Sequence, residues 1–190
     1  MENYIQNAIE LLNQFVPYMR YYSAPANNDL TPYSLKRLMR RFNRIHGSNF
    51  QINNGLTRVV ILGNNFVIKF DYNPEGIDDV GGCESEVKFY QFAEQKGFGY
   101  LFAPITPINI KGFTFYIMPR INGVGRTQND VEWELNNRDC AFVRAYLHDT
   151  HEYNYGWVNG YPVIIDYACN VFWDNCREKE NYTCHSDSWS

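Results

Sequence analysis

Residues 147–170 read LHDTHEYNYGWVNGYPVIIDYACN, and the centre of this stretch decides how the rest of the chain is read. Asn159-Gly160 is the dipeptide best suited to a two-residue type I′ hairpin turn, because both central positions of that turn need positive φ. Residues 155–158 and 161–165 on either side read as strands. With a two-residue loop Val158 lies opposite Tyr161, and counting outward places Asn154 opposite Ile165. The residues entering the first strand, Asp149, His151 and Asn154, then meet Asp166, which leaves the second. Two carboxylates and an amide make an all-oxygen set. Such a set suits Mg²⁺, a hard cation that takes one or two carboxylates and completes its sphere with water and phosphate oxygens. Magnesium with phosphate points to a nucleotide.

These residues resemble the protein-kinase-like superfamily. Asp149-x-His151-x-x-Asn154 looks like the catalytic loop in the D-x-H-x-x-N form of small-molecule and phage kinases, and Asp166-Tyr167-Ala168 stands where protein kinases carry D-F-G. Two flanking positions depart from the protein-kinase form: His148 adjoins Asp149 instead of preceding it by two, and Ala168 replaces the glycine. The resemblance implies that Asp149 accepts the proton of a substrate hydroxyl and that Asn154 and Asp166 hold Mg²⁺ against ATP phosphates. It gives His151 a role in loop support or phosphate contact, with a structural histidine as the alternative.

Upstream, residues 56–62 and 66–70 read as strands joined by a turn at Gly63-Asn64-Asn65. Alternation puts Phe66, Ile68 and Phe70 on one face of the second strand and Val67 and Lys69 on the other. A lysine in so apolar a strand is either a snorkelling surface residue or a functional cation. Val67-Ile68-Lys69 resembles the V-A-I-K strand of kinases, whose lysine reaches the α and β phosphates. By the same resemblance Gly55 occupies the place of the glycine-rich turn over phosphate, and a helix after Gly82 supplies the glutamate that pairs with Lys69. Glu86 is the expected partner, with Glu84 as the alternative. The strand 113–118 would lead into the adenine hinge, with Met118 at the gatekeeper position and Pro119 to Ile121 alongside the base.

Elsewhere the period is helical. Tyr4, Ile5, Ala8, Ile9, Leu12, Phe15, Val16 and Met19 recur as one stripe, with Pro17 expected to bend or end the helix. Thr31-Pro32 makes a capped start and His46-Gly47 a glycine stop for a second helix, whose apolar stripe is Leu35, Leu38, Met39, Phe42 and Ile45. Lys36, Arg37, Arg40, Arg41 and Arg44 cover its other side, with no acid among them: a solvated face whose charges offset acids elsewhere in the fold, or a docking face for an acidic protein partner or a nucleic-acid backbone. Leu101 to Ile105 reads as the start of another strand. Asn136-Asn137 caps a helix that runs to Leu147.

Composition bounds the rest. The chain has 190 residues, 45% apolar and 20% charged, enough for one core or two small lobes. A net charge of −4 argues against general nucleic-acid binding. There is no apolar run of membrane-spanning length, and the first residues lack the basic and apolar regions of a signal peptide. Five cysteines at irregular spacing read as reduced thiols of a cytoplasmic protein, rather than a zinc site built from Cys169, Cys176, Cys184 and His185.

The expectation is an α+β chain with a minimal bilobal protein-kinase-like fold. Residues 1–50 would form a helical extension, 51–119 an antiparallel N-lobe with its αC-like helix, and 120–190 a truncated C-lobe carrying the hairpin. The resemblance implies an ATP- and Mg²⁺-dependent phosphotransferase, with a catalytically inactive pseudokinase that binds a protein as the alternative. The small size resembles compact phage or mobile-element kinase-like proteins, which would act in the host cytoplasm.

Overall fold

Helix formation in the first 50 residues follows the apolar stripes. In a computed structural model, which describes residues 3–22, 31–54, 58–71, 82–121, 135–148 and 152–171, α1 spans Tyr4–Tyr22 and α2 spans Pro32–His46. The start of α2 is fixed by a capping box: Ser34 N–H donates to Thr31 Oγ1, and Thr31 N–H donates to Ser34 Oγ. Gly47, at φ 63°, supplies the left-handed stop. Pro17 does not end α1, so of the two outcomes expected from the sequence, a bend or a stop, the stop does not occur. An interior proline costs about 3 kcal/mol. Yet Leu12, Phe15, Val16 and Met19 are at most 1% exposed, and four such side chains contribute roughly 6–12 kcal/mol by burial. Packing therefore carries the helix through the proline.

By its internal contacts the chain divides into two units, Met1–Glu75 with Thr106–Arg120, and Gly76–Ile105 with Ile121–Ser190. The first unit is a five-stranded antiparallel sheet with α1 and α2. Its strands are β1 (Gln51–Asn54), β2 (Arg58–Leu62), β3 (Phe66–Asp71), β4 (Thr106–Ile110) and β5 (Phe113–Pro119), in the order β1-β2-β3-β5-β4. One face buries Val59, Ile61, Phe66, Ile68, Phe115 and Ile117 in a core shared with α1 and α2. Two expectations need correction. The polar run Gln51–Asn54, not expected as a strand, forms an edge strand because β2 offers it a ladder, from Gln51 opposite Leu62 to Asn54 opposite Val59. The strand expected from Leu101 instead begins at Thr106, and residues Gly99–Leu101 form a 3₁₀ turn.

The second unit contains α3 (Cys83–Gln95), α4 (Asn137–Tyr146) and the hairpin β6 (Tyr155–Val158) and β7 (Tyr161–Ile164). Its core is aromatic. Phe89, Phe102 and Tyr167 are at most 2% exposed, and Phe142 stacks on Phe98 at 4.0 Å between ring centroids. The α+β class expected from the sequence is the class observed. Among the described residues no helix is long and apolar enough to cross a membrane.

Candidate functional site

The hairpin forms as its turn chemistry dictates. Asn159 and Gly160 have φ of 53° and 82°, Val158 pairs with Tyr161, and Tyr155 pairs with Ile164. One further bond extends the ladder: Ile165 N–H donates to Asn154 O at 2.7 Å. Asn154 therefore stands beside Ile165, next in sequence to Asp166. Asn154 is 5% exposed and Asp166 half-buried. Gly156 is required for a close approach, since a Cβ there would fall on Ile121 Cγ2. This contact places Ile121, expected near the base of a nucleotide, against β6.

The segment after Asp166 is held from two sides. On one side lies the first turn of α3. Fully buried Glu86 accepts the Tyr167 N–H on Oε1 at 3.1 Å, and Ser85 Oγ donates to Ala168 O at 3.0 Å. Asn170, also fully buried, donates through Nδ2 to Tyr167 O at 2.6 Å and Ala168 O at 3.2 Å. On the other side His148 N–H donates to Cys169 O and Val171 N–H to Tyr146 O, at 3.1 and 3.2 Å. The backbone at Tyr146 and His148 thus runs beside the backbone leaving Asp166. Tyr167 anchors the join: its ring packs against Phe89 and Phe102, and its hydroxyl donates to Ala103 O at 2.7 Å. Burial, reinforced by the negative charges of Glu86 and then Asp166, holds the Tyr167 hydroxyl well above its usual range, so it remains a donor.

In the second unit the structure gathers Glu86 and Asp166 around Tyr167, and Asn154 beside the strand end that leads to Asp166. Asp149 and His151 lie outside the described residues, as do Gly55 and the alternative zinc ligands Cys176, Cys184 and His185. In the first unit Lys69 is 5% exposed in the central strand β3, opposite Val60 of β2 and Tyr116 of β5. A simple surface lysine would not be so buried. Directly paired residues share a face, so Lys69 lies with Val60, Leu62, Val67, Tyr116 and Met118 on the face opposite the core. Pro119 ends β5 opposite Phe66. Glu84, the alternative to Glu86, makes instead a 2.9 Å pair with Lys88 on the exposed side of α3.

Among the described residues no group of three or more His, Cys, Asp or Glu side chains could by itself hold a metal. Asn154 and Asp166 supply one amide and one carboxylate oxygen set, which fits Mg²⁺, an ion that keeps several waters and takes phosphate oxygens. Among the described residues Cys83, Cys140 and Cys169 form no disulfide.

No protein-family model and no curated protein matches this chain. Among solved structures it is similar to the streptomycin–ATP–APH(2")-IIa ternary complex, with a TM-score of 0.41 and 13% identity, covering 75% of this chain and 72% of that one. It is also similar to WbdD in a co-crystal structure with the kinase inhibitor LY294002, with a TM-score of 0.35 and 19% identity, covering 65% of this chain and 33% of that one. Likeness at this level leaves the site to be read from its own residues.

A cluster that sequence reasoning missed lies around Asp139, which is fully buried near the start of α4. It accepts hydrogen bonds from Tyr100 Oη at 2.6 Å, from Asn136 Nδ2 at 2.9 Å and from Tyr161 Oη. The only signal in the sequence is the cap spacing, Asn136 followed three residues later by an acid. Desolvation of the hydroxyl where it meets Asp139, although the Tyr100 side chain as a whole is 54% exposed, and the Asp139 hydrogen bond push the Tyr100 hydroxyl up to about 12, and the same causes raise Tyr161. In the unfolded chain a tyrosine releases its proton near pH 10. Between about pH 10 and 12 the unfolded chain therefore binds fewer protons, so stability is full below that window and falls as pH rises through it. Melting temperatures across the window are expected to decline, and Tyr100→Phe to flatten the decline. A flat profile in the wild-type chain would remove this linkage.

Proposed function

We propose that the chain is a phosphotransferase that uses ATP with Mg²⁺. The observation that carries this reading is the 2.7 Å bond from Ile165 N–H to Asn154 O, which sets the motif asparagine next to the strand end that delivers Asp166. In this reading Asn154 and Asp166 hold the ion, which when bound neutralises charge on the transferring phosphoryl group. Asp149 accepts the proton of the acceptor hydroxyl, and His151 supports the loop or contacts phosphate. Lys69 neutralises phosphate charge, and Gly55, Met118, Pro119 and Ile121 line the nucleotide. Glu86 acts at least in part as a positioning residue, through its bond to the Tyr167 N–H beside Asp166. The second reading, a catalytically silent binding protein, draws support from the exposed basic side of α2.

Thermal melting with ATP and Mg²⁺ tests the nucleotide. A ligand at about 100 times its dissociation constant stabilises the folded state by about 2.7 kcal/mol, which for a chain of this size raises the melting temperature by roughly 5–10 °C. The expected shift requires both ATP and the metal. No shift at millimolar ATP would end both the kinase and the pseudokinase readings; a shift without phosphoryl transfer to any acceptor or to water would leave the second.

A further inference from the structure

The strongest charged feature outside the candidate site is α2. Its sequence, PYSLKRLMRRFNRIH, contains five of the chain's 17 Lys and Arg residues and no acid. Leu35, Leu38, Met39 and Phe42 are 1–2% exposed and take the inward side. By the 3.6-residue period Arg37, Arg40, Arg41 and Arg44 fall on the opposite side, in an arc of roughly 140° that also holds Tyr33 and Ile45. All four arginines are exposed, while Tyr33 and Ile45 are 77% and 54% exposed despite their apolar bulk; Ile45, expected on the buried stripe, lies on the outward side because it is the last apolar position before the Gly47 stop and falls past the inward arc. A depression of about 390 Å³ is lined by Arg37, Leu38, Arg40, Arg41 and Arg44. Among the described residues Arg37, Arg40 and Arg41 make no ion pair or hydrogen bond. No described acid pairs with these three, which leaves their guanidinium groups open to an anionic partner.

We propose that this face docks a short acid-rich peptide segment of a partner protein. Carboxylates would sit on the guanidinium groups in paired hydrogen bonds, with apolar residues against Tyr33 or Ile45; Tyr and Arg are the side chains that most often dominate such contacts. Charge and length favour a short peptide over nucleic acid. The total is −4 with five positive charges on α2, so the rest of the chain carries −9, a net charge that disfavours a long polyanion reaching beyond the helix. From Arg37 to Arg44 the helix rises about 10 Å, the span of three or four residues of extended peptide.

The test is fluorescence anisotropy on the full chain with a dye-labelled peptide of alternating Glu and Leu, the same peptide with Gln for Glu, and a single-stranded oligonucleotide of equal charge. The acidic peptide is expected to bind, to weaken as salt is raised, and to bind at least about tenfold more weakly to Arg37→Gln/Arg40→Gln/Arg41→Gln. The variant should keep the wild-type melting temperature. A second variant with lysine at the same three positions should retain salt-dependent binding. Equal binding of the acidic peptide by wild type and the glutamine variant, no binding by wild type at low salt, or equal binding of the neutral peptide would overturn the proposal. Tighter binding of the oligonucleotide than of the acidic peptide would replace the occupant by a nucleic acid and overturn it as well.

Discussion

Asp149→Asn is expected to slow phosphoryl transfer by about 10²–10⁴-fold, the usual contribution of a positioned general base, while the thermal shift produced by ATP and Mg²⁺ persists. In the proposed phosphotransferase the two carboxylates of the motif have different jobs, so their amide replacements should separate. At Asp149 the reaction needs a group that accepts a proton as the acceptor oxygen attacks; asparagine has nearly the same shape and cannot do so. At Asp166 the need is for negative charge on the metal. Asp166→Asn should therefore lose the magnesium-dependent part of the thermal shift along with transfer, because one neutral amide cannot replace an anionic ligand of a hard cation. Transfer of label from γ-labelled ATP, read beside the melts, distinguishes them. Equal labelling by wild type and Asp149→Asn would take Asp149 out of the role of base.

The largest structural effect is expected at Tyr167. Tyr167→Ala should cost about 3–5 kcal/mol, as for other large aromatic side chains removed from a packed core. Its ring is 1% exposed and sits against Phe89 and Phe102 at 6.0 and 5.2 Å between centroids. Tyr167→Phe keeps that packing and removes only the hydrogen bond to Ala103 O, a loss of about 1 kcal/mol. Urea denaturation of the two variants provides the comparison. Similar losses would mean that the hydroxyl, rather than the ring, holds the segment after Asp166.

Local chemistry is the part of this molecule that its residues make legible. Asn159-Gly160 specifies its turn from two residues, and the hairpin register follows from counting, which is enough to set Asn154 beside Ile165. The caps Thr31 and Asn136 are legible for the same reason. Interactions that depend on distant parts of the chain are not. Gln51–Asn54 carries no strand pattern of its own and becomes a strand through β2. The passage of α1 through Pro17 rests on packing that a local rule cannot weigh. Asp139 meets Tyr100 and Tyr161, and Asn170 meets Ser85, 85 residues away; nothing in the spacing of such residues announces the encounter. Glu86 lies between: its helix is legible, whereas its bond to the Tyr167 N–H is visible only in three dimensions.

Sheet order has a consequence for synthesis on the ribosome. β3 lies between β2 and β5, and β5 is made only after α3 and β4. A nascent chain that has emerged only as far as residue 75 therefore presents the unpaired hydrogen-bonding edge of β3, with Phe66, Val67 and Ile68 along it, and waits some 40 residues for its neighbour. Exposed edges of that kind recruit other strands. Fragments ending before residue 113 should be markedly more prone to aggregate than the full chain, and chaperones that bind nascent polypeptides would find their best purchase during that interval.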